Sequence, residues 1–151
     1  MAAAERAARP RVLFLCTGNS CRSQMAEGWA RALKSDILEP YSAGIDPHGL
    51  NPLAVRAMRE AGVDISSHTS KRPSDIGVTF DLVVTVCGHA DEHCPSFPGA
   101  RVVHAGFDDP PKLAASAVTD DDRMPHYRRV REEIRIFVAG IDSILPRRTT
   151  P

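Results

Sequence analysis

The stretch Val12-Leu13-Phe14-Leu15 is apolar at every position, and Cys16-Thr17-Gly18-Asn19-Ser20-Cys21-Arg22-Ser23 carries it into the helical pattern of Gln24-Met25-Ala26-Glu27-Gly28-Trp29-Ala30. A short strand without polar alternation is buried on both faces. Fed through a tight turn into a helix, it commits the chain to a layered α/β fold. The turn is also chemically pointed. Main-chain N–H groups leading into a helix converge beyond the strand end and carry partial positive charge. The same field favours the thiolate of a cysteine seated there. Cys16 is that cysteine. Arg22, separated from it by five residues, adds a planar two-pronged clamp for an anion. The loop Thr17, Gly18, Asn19, Ser20, Cys21, Arg22 and Ser23 therefore describes a pocket for a tetrahedral oxyanion with sulfur at its floor. Gly18 and Asn19 are the residue types that tolerate left-handed dihedrals in so tight a loop, and the Ser23 hydroxyl is placed to donate to the sulfur.

The rest of the chain repeats the strand–helix alternation. Strands are predicted over 11–16, 39–43 with a stop at Gly44, 82–86 through Leu82-Val83-Val84-Thr85-Val86, and around Val102-Val103. A helix is predicted over 23–34, with Met25, Ala26, Trp29, Ala30 and Leu33 at helical spacing. Asn51-Pro52 reads as a cap and a first-turn proline, and Gly62 as a stop, so 52–61 is a second helix. Residues 63–74 read as loop with a helical turn near Ser74, 88–100 as loop or short helix, and Asp108-Asp109-Pro110-Pro111 as a turn. The last helix is predicted over 124–145, with Tyr127, Val130, Ile134, Phe137, Val138, Ile141 and Leu145 on one face. Alternation of this kind implies a single three-layer domain: a four-stranded parallel sheet flanked by helices. Ligands in such sheets sit beyond the C-terminal strand ends, where Cys16, Cys87 and the Asp108-Asp109 turn all fall.

Composition narrows the function. With 19 basic and 19 acidic side chains in 151 residues, no overall field favours nucleic acid or an anionic membrane surface, so any anion selectivity is local. No apolar run approaches the roughly 20 residues of a membrane span. Residues 1–10 lack the apolar core of a secretion signal. They and 146–151 are expected to be disordered tails around a catalytic domain at 11–145. Of the four cysteines, Cys16, Cys21, Cys87 and Cys94, none is expected in a structural disulfide without an export signal, which brings nucleophilic, redox or metal roles forward. Cys21 is expected to pack as a small buried hydrophobe.

Cys16 to Ser23 with Gln24-Met25-Ala26-Glu27-Gly28 behind it resembles the signature of the low-molecular-weight tyrosine phosphatase fold, and more narrowly that of the thioredoxin-linked arsenate reductases built on it. The similarity runs on through Tyr41-Ser42-Ala43-Gly44, Asn51-Pro52, His68-Thr69-Ser70, Val83-Val84-Thr85-Val86-Cys87, Cys94-Pro95 and Gly106-Phe107-Asp108-Asp109-Pro110. The resemblance implies arsenate as substrate, Cys16 as nucleophile, Arg22 as anion clamp, Asp109 as general acid, Cys87 as second thiol and Cys94 as third. It implies no tightly bound cofactor and reduced thioredoxin as electron donor. A cytoplasmic monomer is expected. On its own, an Asp-Pro pair such as Asp109-Pro110 reads as a turn or cap. Some relatives hold potassium beside the loop, at positions matched by Glu27, Asn19 and Ser42. Their fourth ligand, an aspartate, is Lys71 here, which either fills the cation site by pairing with Glu27 or is a solvated lysine.

Two other readings stand beside this one. A protein tyrosine phosphatase would use the same loop without the extra thiols, and Pro111 takes the place where phosphatases of the family tend to carry an aromatic. Weak hydrolysis of artificial phosphate esters is expected in either case. Alternatively, Cys87-Gly88-His89-Ala90-Asp91-Glu92-His93-Cys94 could bind zinc, although adjacent His93 and Cys94 crowd a tetrahedral ion. His89 and His93 are otherwise exposed loop histidines. The redox reading has a mechanical consequence. Seven residues of helix would hold the α-carbons of Cys87 and Cys94 about 10 Å apart, whereas a disulfide needs roughly 4.4–6.8 Å. The segment 88–99 must therefore rearrange on oxidation.

Overall fold

The structure is a computed structural model and describes residues 9–146. Apart from residues 9, 10 and 146, the expected tails lie outside the described residues. Four strands, β1 (Arg11–Cys16), β2 (Glu39–Gly44), β3 (Leu82–Thr85) and β4 (Arg101–His104), form one parallel sheet in the order β2-β1-β3-β4. Leu13 pairs with Tyr41 on one side and Val83 on the other, and Val83 pairs in turn with Val102. β1 is therefore central, and Val12 to Leu15 are completely buried. This is why the run carries no polar alternation.

Helices α1 (Arg22–Lys34), α2 (Pro52–Glu60), α3 (Gly88–Glu92), α4 (Pro110–Leu113) and α5 (Asp120–Ala139) flank the sheet. α1 packs on β1, β2, α2 and α5, while α3 packs on β1 and β3. Trp29 ties α1 to α5 by donating from its indole to the Arg131 carbonyl at 3.1 Å. α2 begins as the sequence predicts. The Asn51 side chain accepts from the Leu53 and Ala54 amides at 2.8 and 3.4 Å, Pro52 occupies the first turn, and Gly62 beyond the end has φ +84°.

The last helix differs from expectation at both ends. It starts at Asp120, because the Thr119 hydroxyl caps it by accepting from the Asp122 amide at 3.1 Å. Asp120, Asp121 and Asp122 then complement the positive end of the helix dipole. Apolar periodicity begins only at Met124, and the adjacent Pro125 has no N–H for a helical bond, so the first turn is invisible to that pattern. The helix stops at Gly140 and rewinds as a 3-10 turn over Ile141–Ile144. Met124, Tyr127, Val130, Ile134 and Val138 form its buried stripe.

Candidate active site

β1 ends at Cys16 and α1 begins at Arg22, so residues 17–21 make the turn between them. Asn19 is its pivot. It is the one non-glycine residue with positive φ among those described, at 48°, and it is completely buried. Its main-chain N–H donates to Cys16 Sγ at 3.2 Å. Its side-chain amide donates to Ser23 Oγ at 2.9 Å and accepts from the Lys71 amide at 3.0 Å. Ser23 Oγ lies 2.9 Å from Cys16 Sγ. Since the hydroxyl already accepts from Asn19, its own proton is directed at the sulfur. Cys16 thus sits under two donors at the base of the loop.

Gly18 does not share the left-handed conformation expected of it. Its role is space, because a Cβ there would lie 2.7 Å from His48 Nδ1. Gly44 at the end of β2 is needed more strictly: a Cβ would meet the Asn19 nitrogen and the Thr17 carbonyl oxygen, both at 2.7 Å. The sequence signal for that close approach is a glycine ending the neighbouring strand.

The loop opens on a cavity of about 600 Å³ lined by Cys16, Thr17, Gly18, Ser20, Cys21 and Arg22. Cys87, His89, Asp109, Pro111, Lys112 and His48 line it as well. Arg22 donates to the Phe107 carbonyl at 3.0 Å and lies 3.7 Å from Asp109 Oδ1. Asp109 occupies the cap position of α4, yet its side chain makes no capping bond. It faces Arg22, whereas its neighbour Asp108 turns away to Arg129 at 2.8 Å. His48 and Lys112 went unnoticed in the sequence, since only the fold brings their segments to this rim.

The four cysteines are unbridged thiols. Cys21 is buried, and burial with the adjacent Cys16 and Asp109 charges pushes its thiol far above the ordinary range. It packs as expected. Cys87 is buried at the start of α3, where Sγ accepts from the Ala90 amide at 3.3 Å and lies 3.4 Å from Thr17 Oγ1. Cys94 follows His93 at the other end of α3, outside the cavity lining, and burial with nearby Asp91 pushes its thiol up. Residues 88–92 are helical here, and Cys87 and Cys94 are both free thiols. The zinc alternative finds no arrangement to support it. His89 bonds to Thr17 at 3.0 Å, and His93 stacks on His89 with ring centroids 4.3 Å apart. Among the described residues no cluster of three or more His, Cys, Asp or Glu is arranged to hold a metal ion.

Behind the loop, Glu27 accepts from Ser42 at 2.6 Å and from Arg31 at 2.9 Å, with His68 3.7 Å away. Burial pushes the His68 imidazole down, with Glu27 opposing. The Lys71 ammonium donates to the Thr69 carbonyl at 2.8 Å. Arg31, one turn along α1, therefore supplies the counter-charge to Glu27 that the first of the two sequence readings gave to Lys71.

A parallel four-stranded sheet with a Cys-x5-Arg loop at the end of its central strand defines a class. The chain matches the family of low molecular weight phosphotyrosine protein phosphatases over residues 11–137, and it belongs to that family. It is 52% identical over 125 residues to the arsenate reductase of Halalkalibacterium halodurans, covering 82% of this chain and 88% of that one. It is 47% identical over 134 residues to the arsenate reductase of Staphylococcus aureus, covering 87% and 95%. Among solved structures it is similar to an arsenate reductase in the phosphate binding state, with TM-score 0.75 and 28% identity, covering 91% and 99%.

Proposed function

We propose that this chain is an arsenate reductase that works by a three-cysteine relay re-reduced by thioredoxin. The observation that carries the reading is the opening of two thiols, Cys16 and Cys87, onto one cavity that also holds Arg22 and Asp109. An ester-cleaving enzyme needs only the first of them.

Arsenate sits on the main-chain donors of the loop with Arg22 across two of its oxygens. Cys16 attacks arsenic, and Asp109 gives a proton to the departing hydroxide, which leaves as water. Cys87 then attacks Cys16 Sγ. The sulfur–arsenic bond breaks with its electron pair on arsenic, so arsenite leaves and a Cys16–Cys87 disulfide remains. Cys94 attacks Cys87, freeing Cys16 and leaving Cys87–Cys94. A dithiol of the thioredoxin type returns the two electrons by ordinary exchange. The raised Cys94 thiol, pushed up by burial and by nearby Asp91, fits its place as the last of the three to react. The relay requires thiols kept reduced between turnovers, which fits a cytoplasmic protein. We take it to act as a monomer, with one complete set of cysteines per chain. The loop alone would also cleave phosphate esters weakly.

The deciding assay is arsenate-dependent NADPH consumption with thioredoxin and thioredoxin reductase. Wild type is expected to turn over continuously, and Cys16→Ser not at all. Cys94→Ser is expected to release one arsenite per enzyme and stop as the Cys16–Cys87 disulfide. Continuous turnover of Cys94→Ser at the wild-type rate would overturn the relay.

A further inference from the structure

The relay leaves one question open: where the Cys87 proton goes when this thiol attacks. Two observations converge on an answer. Thr17 Oγ1 lies 3.4 Å from Cys87 Sγ and 3.0 Å from His89 Nδ1. A hydroxyl has one proton to give and lone pairs to receive. It can accept from a thiol on one side while donating to an imidazole nitrogen on the other. We propose that His89 is the proton acceptor for Cys87, acting through the Thr17 hydroxyl. The proposal rests on the role of Cys87 as second thiol.

The protons balance along the three atoms. Before attack, Cys87 S–H donates to Thr17 Oγ1 and the Thr17 O–H donates to His89 Nδ1. As the thiolate forms, its proton moves to Thr17 and the Thr17 proton moves to His89. The resulting imidazolium donates back to Thr17, which donates to the sulfur. No bond other than S–H, O–H and N–H changes in this step. The electron pair that then forms the Cys16–Cys87 bond is the thiolate's own.

The surroundings of His89 suit the task. Its ring is held by the stacked ring of His93, at an interplanar angle of 25°. His93 Nδ1 is itself anchored to the His89 carbonyl at 3.0 Å. His89 is exposed, so its other nitrogen can pass the proton to water. The charged and titratable groups around it are His93, Asp91 and Glu92 on its own helix, with Arg22, His48, Asp109 and Lys112 from the other segments around the cavity. The arrangement is also self-cancelling. When α3 opens to bring Cys94 to Cys87, His89 is carried off Thr17, and Cys87 is left as an electrophile without a base.

His89 is a positioning residue for the proton and does not touch substrate, so the test must separate proton transfer from simple support. Single-turnover arsenite release is measured from pH 6 to 9 in a Cys94→Ser background, with and without His89→Gln. Glutamine can accept from Thr17 but cannot keep a proton. With His89 present, the rate should change little between pH 9 and pH 7. With His89→Gln it should fall about a hundredfold at pH 7, the low end of what a positioned proton acceptor contributes, and recover at pH 9. Added imidazole should restore part of the loss at pH 7. Equal rates at every pH, or a loss independent of pH, would overturn the proposal. Failure of the Cys94→Ser parent to release any arsenite would instead strike the relay itself.

Discussion

Ser23 shows how much of the site turns on one hydroxyl. It accepts from the Asn19 side chain and donates to Cys16 Sγ. Ser23→Ala removes a donor from the nucleophile and strands a buried amide. Hydrogen bonds to charged groups contribute about 1.5–3 kcal/mol, so turnover and the rate of alkylation of Cys16 by iodoacetamide at pH 7 should both fall about ten- to a hundredfold. Unchanged alkylation would show that the serine merely fills space. Glu27 gives a second prediction of the same grain. Ser42 and Arg31 occupy its carboxylate, so exchanging potassium for sodium at constant ionic strength should leave turnover unchanged. At this scale the sequence was legible where chemistry is local: Cys16, Arg22 and Ser23 are fixed relative to each other by spacing along one turn. Glu27 and Arg31 are likewise one helical turn apart on α1 and legible as an i, i+4 pair. That Lys71 turns instead to the Thr69 carbonyl was not legible, because it depends on how the chain from Ser42 to Lys71 folds behind the loop. His48 and Lys112 were hidden for the same reason.

Elements add constraints that no single side chain reveals. Gly28 sits inside α1, where glycine costs roughly 1 kcal/mol against alanine on propensity alone. Packing explains it. A Cβ there would lie 2.7 Å from Ile65 Cγ2 and 3.2 Å from Met58 Cε, both on buried side chains. Gly28→Ala should therefore destabilise the fold despite better propensity, by about 1–3 kcal/mol as overpacking usually does. Urea unfolding would register this as a lower midpoint, and a raised midpoint would refute the steric account. The helical pattern around Gly28 was readable because Met25, Ala26, Trp29 and Ala30 recur at helical spacing. The reason for the glycine was not, because Ile65 and Met58 arrive from other segments. α3 presents the opposite case. Its five residues are anchored in the core by Ala90 alone, which is completely buried. Exposed Gly88 and Glu92 contribute little to hold it, and His89 and Asp91 tie it down only through side-chain hydrogen bonds to Thr17 and Thr85. Amide exchange over 88–99 should accelerate on going from the reduced protein to the Cys87–Cys94 form. Identical protection in both states would mean that the two sulfurs meet without the helix opening.

Across the whole molecule, charge is balanced in number but not in placement. Glu60 stands where α2 faces α5. Arg128 grips both its oxygens at 2.9 Å, with Arg131 at 3.4 Å and Arg56 at 3.9 Å. The Arg128 hydrogen bonds hold the Glu60 carboxyl down to about 2, below its unfolded value near 4.3. A carboxyl depressed by folding adds stability above its unfolded value and loses that contribution as pH falls through the folded one. Glu60 is one-third exposed, so solvent screening holds its contribution to about 1 kcal/mol. Glu60→Gln should lower the unfolding free energy by about that amount at pH 7. The gap between variant and wild type should narrow below about pH 4 and close near pH 2. The packing of α2 on α5 persists in the variant, so the loss at neutral pH isolates the charge. Urea titrations of both proteins at pH 7, 5 and 3 would read the trend. A gap that stayed constant across that range would mean that Glu60 acts through shape and hydrogen bonding alone, and that acid unfolding of this protein begins at another carboxylate.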